Sequence, residues 1–275
     1  MEKIIILTDS RKVDLGTIDF GCYLAELTNS RLTGMLLNSS TINLTPSESY
    51  KQMYLNKGAA TETELVGIDI DQATLYIMEE CRKRGIKSEV FPDKGSPFEE
   101  VIYESRFADL LVLAPDLSLV GDFNDMPSSF VRRILSQSEC PVVLTPNTFD
   151  RVEEIIFCYD GSESSLFAIK QFTYLFPQYK NLKTSVLEIR DSDFSNTDEG
   201  HTKTLSWLGA HYDKVDFKFL QGDVKDELLI YFLNKSNYFI VMGAFGRNML
   251  SNLFRKSSSE ILIKTIDLPL FIAHH

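Results

Sequence analysis

The chain writes one series of elements twice, and this repetition limits its fold more than any other feature. Lys3–Thr8 (KIIILT) and Glu154–Tyr159 (EIIFCY) open the two halves, and each leads into an Asp and a Ser, at Asp9-Ser10 and at Asp160-Gly161-Ser162. Asp109–Ala114 (DLLVLA) is answered by Tyr238–Gly243 (YFIVMG), and Cys140–Pro146 (CPVVLTP) by Leu268–His274 (LPLFIAH), in the same order. Short β-branched runs without polar alternation are the mark of strands covered on both faces, which is the condition of a parallel sheet.

Helical spacing fills the intervals. Leu15, Ile18, Cys22 and Ala25 in the first half, and Leu166, Ile169, Phe172 and Leu175 in the second, each make one apolar stripe able to lie on a sheet. Ser96-Pro97-Phe98-Glu99 reads as N-cap, N1 proline and capping-box acid, and Asp223 with Asp226 three residues later is a weaker version of that arrangement. The predicted strands of the first half lie near 3–8, 32–37, 87–91, 109–114 and 141–145, with helices near 14–29, 68–84, 97–106 and 129–137. Those of the second lie near 153–159, 183–189, 215–220, 238–243 and 269–273, with helices near 163–176, 200–211, 224–235 and 258–265. Five strands alternating with four helices make a doubly wound α/β domain, present here in tandem as 1–149 and 150–275. Ser39–Val66 has no counterpart of its length in the second half and reads as a surface insertion, either a lid or a solvated loop. The unpaired apolar edges Val142–Leu144 and Leu270–Ile272 are expected to meet, making an intramolecular pseudo-dimer, with a homodimer of chains as a further step.

Composition excludes several classes. Twenty-eight Lys and Arg against 39 Asp and Glu give a net charge of −11, which repels a phosphodiester backbone, so nucleic acid is not expected as a partner. The acidity belongs mostly to residues 1–150, with 14 basic and 23 acidic side chains, against 14 and 16 in the remainder. No apolar run approaches the ~18 residues of a membrane span, and MEKIIILTDS is too short in its apolar part for a signal sequence, so no membrane association and a cytoplasmic location are expected. Cys22, Cys81, Cys140 and Cys158 are widely separated, with no C-x-x-C, and read as buried free thiols. His201 and His211 stand on a polar stretch without acids at ligand spacing and read as surface histidines, so no metal site is assigned.

A first strand ending in Asp-x-Ser, a glycine near the third helix (Gly222), and a fourth strand running into Gly243-Ala244-Phe245-Gly246, then nine residues, then Lys256-Ser257, together resemble the universal stress protein family in its tandem form. The resemblance extends from Lys3 to His274. It implies Rossmann-like five-stranded sheets of strand order 3-2-1-4-5. In one branch of the family it implies an ATP site, and in another no nucleotide at all.

A phosphate requires backbone N–H groups that point at it with no side chain between, and a helix N-terminus adds a favourable dipole. Gly243 and Gly246 leave the backbone after the fourth strand open. Ser257 and Ser258 offer hydroxyls, while Arg247, Arg255 and Lys256 add positive charge. By position, the resemblance places adenine and ribose against Asp160 and the end of the second strand near Ile189, and phosphates against Gly243, Gly246, Ser257 and Ser258; Ser162, Arg247 and Lys256 complete the cofactor-binding set. ATP or another adenine nucleotide is the implied cofactor, with Mg2+ accompanying ATP. Lys256 stands where the family has a third glycine, and its side chain either occupies the phosphate position or binds phosphate as a cation.

In the first half the matching positions are Ala114 and Leu117, and the loop after Ala114 carries Asp116, Asp122 and Asp125. Side chains there crowd the loop and carboxylates oppose a polyphosphate, so no nucleotide is expected, and Asp9 and Gly95 read as cap and turn residues. The pattern G-x-x-x-x-G-K-[ST] is absent because Arg255 precedes Lys256. No nucleophile, base and orienting group can be assembled, so no catalytic residue is assigned and hydrolysis would be slow at most. Two functions follow. One is a stress-response protein that binds an adenine nucleotide in the C-terminal domain as a regulatory signal; the other is a nucleotide-free module that docks a partner protein.

Overall fold

A computed structural model describes residues 1–38, 64–66, 70–119, 126–190, 199–243 and 265–273. Its contacts divide the chain into two compact units, Met1–Cys140 and Pro141–His275.

In the first unit the described elements are β1 (Lys3–Asp9), β2 (Lys12–Asp14), α1 (Leu15–Thr28), β3 (Arg31–Leu37), β4 (Glu64–Val66), α2 (Ile70–Lys83), β5 (Ser88–Pro92), α3 (Pro97–Ser105), β6 (Leu110–Leu113) and α4 (Ser129–Gln137). β5, β3, β1 and β6 lie side by side, all parallel, with Ile4 opposite Leu32 on one side and Leu110 on the other. Ile4 to Leu7 are fully buried, as strands covered on both faces must be. Asp14 caps α1 by accepting from the N–H groups of Gly16 (2.9 Å) and Thr17, and the helix ends at Asn29 in the left-handed conformation.

Two features depart from the sequence reading. Glu64–Val66, expected within a loop, is a strand: it pairs antiparallel with β2, which itself turns back antiparallel on the tip of β1. The rest of the insertion, residues 39–63, lies outside the described residues. The expected capping box at Ser96 does not form, since the Ser96 side chain makes no cap hydrogen bond. The Glu100 carboxylate instead accepts from the Lys94 N–H at 2.8 Å, which takes the acid side chain of this turn back past the cap.

The second unit contains β7 (Val142–Leu144), β8 (Glu154–Tyr159), α5 (Glu163–Leu175), a 3-10 turn (Pro177–Asn181), β9 (Lys183–Arg190), α6 (Glu199–Gly209), β10 (Lys214–Gln221), α7 (Val224–Phe232), β11 (Tyr238–Gly243) and β12 (Leu270–Ala273). The strands run β10-β9-β8-β11-β12 in parallel, and β7 closes the edge of β12 antiparallel, with Val143 opposite Phe271. The runs Val142–Leu144 and Leu270–Ile272 therefore meet. Asp223 caps α7 through Lys225 N–H at 3.0 Å; the helix stops at Phe232, before Asn234 takes a positive φ. The helix expected near 258–265 lies largely outside the described residues.

The core of this unit is aromatic. Phe172 of α5 is fully buried, with ring centroids 4.8 to 5.8 Å from Phe176, Phe239, Phe271 and Phe157. On the outer side of the same region, Trp207 of α6 packs against His211 at 4.3 Å, the two rings tilted by 43°, and meets Tyr174 at 5.9 Å.

Glu154, only 5% exposed at the start of β8, accepts from Ser185 Oγ (2.6 Å), Lys183 Nζ (2.9 Å) and Lys218 Nζ (3.1 Å). Desolvation alone would raise its pKa, but these bonds together hold it below the ordinary carboxylate value of 4.5. A carboxylate depressed in the folded state stabilises above its unfolded pKa, and that contribution disappears as pH falls through the folded one. Glu154→Gln is therefore expected to cost about 1–2 kcal/mol at pH 7 and to weaken the acid dependence of stability below about pH 4.5. Urea midpoints measured from pH 3 to 7 check this; parallel curves for the two proteins would contradict it.

Candidate functional site

In the second unit, the strand order reverses between β8 and β11. In open parallel α/β sheets, ligands bind at such a point, outside the carboxyl ends of the strands. Asp160 directly follows β8, and Gly243 is the last residue of β11. Ile189, buried near the end of β9, stands opposite Leu220 in the next strand. Ser162 opens α5, so these four sequence-predicted residues share one end of the sheet.

The loop after β8 is built by local rules. One oxygen of Asp160, Oδ1, accepts from the Ser162 N–H at 3.0 Å, and Ser162 Oγ accepts from the Ser165 N–H at 3.1 Å. Gly161 between them has φ +75°, and a Cβ there would touch nothing within 4 Å, so it is conformation rather than space that calls for glycine. Ser162 is thus a helix cap. Asp160, half-buried, keeps Oδ2 without a hydrogen-bond partner among the described residues.

Gly243 is glycine for the opposite reason. A Cβ on it would lie 2.5 Å from both the carbonyl carbon and the oxygen of Ser164 and 2.6 Å from its Oγ. The first turn of α5 therefore presses on the end of β11, and this packing demands a glycine with or without a phosphate nearby. Gly246, Arg247, Lys256, Ser257 and Ser258 lie outside the described residues.

A neighbouring cluster escaped the sequence reading. His201, expected at the surface, is only 4% exposed: His201, Thr204 and Leu208 form the inward stripe of α6. Its ring rests against Phe217 (4.8 Å), Phe219 and Tyr159, and its Nε2 meets the buried Glu188 carboxylate, which also takes Arg190. The signal available in the sequence was the spacing 201, 204, 208, set within a run that is otherwise polar apart from Leu205 and Trp207.

In the first unit the matching place is already filled. Asp9 accepts from the Arg11 N–H at 2.8 Å and pairs with its guanidinium, and Thr8 Oγ1 accepts from the Asp14 N–H, fixing β2 over the tip of β1. Ala114 and Leu117 are buried, and beside them the described residues leave a cavity of about 40 Å3, lined also by Asp9, Asp14 and Asp116. Pockets for small ligands are typically about 300–1,000 Å3. Gly95 sits in a turn at positive φ, donating to Asp93 Oδ1 at 2.7 Å. Asp122 and Asp125 lie outside the described residues.

Among the described residues no helix is long and apolar enough to cross a membrane, and no group of three or more His, Cys, Asp or Glu is placed to hold a metal ion. No family model and no curated protein matches the sequence. Solved structures do match. A universal stress protein from Archaeoglobus fulgidus is 14% identical, with 99% of this chain and 98% of that one covered at a TM-score of 0.66. A functionally unknown protein from Pseudomonas aeruginosa is 12% identical, with 100% and 92% covered at 0.58. The cytoplasmic domain of a prokaryotic cation chloride cotransporter is 12% identical, with 98% and 94% covered at 0.53. Two α/β units of parallel strands, the second with the Asp160-Gly161-Ser162 turn at the end of its first parallel strand, matched along nearly the entire chain by the Archaeoglobus protein, give this chain the fold of the universal stress proteins.

Proposed function

We propose that the second unit binds one adenine nucleotide, ATP or another adenylate, at the carboxyl ends of β8 and β11, and that the nucleotide acts as a regulatory signal in a cytoplasmic stress response. The observation that carries this reading is Asp160: it sits at the point where strand order reverses, held by its own turn, with one carboxylate oxygen uncommitted among the described residues and able to accept from a ribose hydroxyl. Ile189 would line the base side. From the sequence, the phosphates fall to Gly246, Arg247, Lys256, Ser257 and Ser258, and Mg2+ would enter as the counter-ion of ATP. The tip of β1 in the first unit, closed by β2, supports one nucleotide per chain rather than two.

The test is the nucleotide content of the purified protein, read by ion exchange of the supernatant after heat denaturation; about one adenylate per chain is expected. Gly246→Val is expected to lower affinity at least tenfold, about 1.4 kcal/mol. Lys256→Gly should tighten binding if the lysine occludes the site and weaken it if its ammonium pairs with phosphate. A protein that is purified empty and takes up no ATP or AMP in calorimetry overturns the proposal. The alternative, a nucleotide-free module that docks a partner protein, is favoured by one observation: contact with Ser164 already accounts for glycine at position 243.

A further inference from the structure

We propose that Cys22 and Cys81 form a redox-responsive dithiol in the first unit, a modification site at which a peroxide converts two buried thiols into a disulfide between α1 and α2. The two sulfurs lie 3.8 Å apart in hydrogen-bond contact, although 59 positions separate them in sequence. Each is on the inward stripe of its helix, Cys22 after Ile18 and Cys81 after Ala73 and Ile77. A disulfide requires a sulfur separation of about 2.05 Å, so an approach of about 2 Å between two packed helices completes the bond.

The surroundings favour attack at Cys81. The hydrogen bond shared with Cys22 lowers the Cys81 thiol against the opposing effect of burial, with the Ser88 hydroxyl and the Arg84 charge acting in the same direction. Arg84, itself paired with Asp19 at 2.6 Å, follows Cys81 by three residues. Both sulfurs are fully buried, and Ser88 and Arg84, which act on Cys81, line an open groove of about 530 Å3 together with Ala25 of α1, so the approach for a molecule as small as peroxide is from that side. Cys140 and Cys158 differ: burial pushes both up to about 12, and neither is in hydrogen-bond contact with another sulfur among the described residues.

The chemistry balances with hydrogen peroxide as oxidant. The Cys81 thiolate attacks one peroxide oxygen, the O–O bond breaks, and Cys81 sulfenic acid and hydroxide form. The Cys22 sulfur then displaces that hydroxyl, forming the S–S bond and releasing water. Over both steps the sulfurs lose two electrons, peroxide is reduced to two waters, and a dithiol reductant reverses the change.

The test treats the reduced, full-length native protein with excess hydrogen peroxide, removes the peroxide, and then unfolds the protein in alkylating reagent for peptide mass mapping. Two of the four thiols are expected to resist alkylation. The Cys22 and Cys81 peptides should appear as one species lighter than their sum by two hydrogens and separable by dithiothreitol. In Cys22→Ser, Cys81 should accumulate as a sulfenic acid trapped by dimedone; in Cys81→Ser, Cys22 should stay reduced at the same dose. Four alkylated thiols after peroxide, oxidation without a linked peptide, or a link to Cys140 or Cys158 would each overturn the proposal. The wild-type map decides even if a variant fails to fold.

Discussion

Phe172→Ala is expected to destabilise the second unit by about 3–5 kcal/mol, the range for removing a buried aromatic ring. Phe172 is the ring that all its neighbours share: Phe157 and Phe239 approach it edge-on from two adjacent strands, Phe271 from a third, and Phe176 from the end of its own helix. Truncation loses these contacts at once, and three rings held by three strands cannot collapse together into the space. Tyr174, two residues away and 57% exposed, serves as the internal control, with Tyr174→Ala expected to cost less than about 1 kcal/mol. Urea unfolding of both variants measures the difference. A Phe172→Ala loss near 1 kcal/mol would mean that the ring cluster is not the centre of this core.

Gly243→Ala is expected to cost about 1–3 kcal/mol or more, because the new methyl meets backbone atoms of Ser164, which cannot rotate away. Gly161 gives the contrast. Its positive φ disfavours alanine by about 1–2 kcal/mol, yet open space surrounds it, so Gly161→Asn should keep most of the wild-type stability, asparagine being tolerant of that conformation. The pair separates two meanings of glycine at one candidate site. If Gly243→Ala is as stable as the wild type, the close approach of α5 to β11 is wrong, and the glycine becomes available again as a residue kept open for phosphate.

The alternation of strands and helices was legible because burial on both faces writes itself into the sequence: Ile4–Leu7, Ile155–Tyr159 and Phe239–Met242 are continuous apolar runs, and each is buried throughout. β2 and β4 were not, since three-residue strands such as Lys12–Asp14 and Glu64–Val66 are held by a partner's backbone and need no pattern of their own. His201 was misplaced because its helix buries only His201, Thr204 and Leu208, a stripe with one apolar member. At the candidate site, the Asp160 turn and the Ser162 cap follow from residue type, whereas the contact that fixes Gly243 comes from a helix about eighty positions earlier in the chain. The same limit hid the two sulfurs: no spacing rule brings position 22 to position 81, but the packing of α1 beside α2 does.

The place of Trp207 on α6, against His211 and Tyr174, has a practical consequence. Trp207 is the single tryptophan of the chain, so indole emission excited at its red edge reports only the second unit, while the 11 tyrosines are shared between both. During denaturation, a tryptophan transition that coincides with the loss of far-ultraviolet ellipticity would mark the two units as one cooperative system; two separate midpoints would mark them as independent optical and thermodynamic bodies.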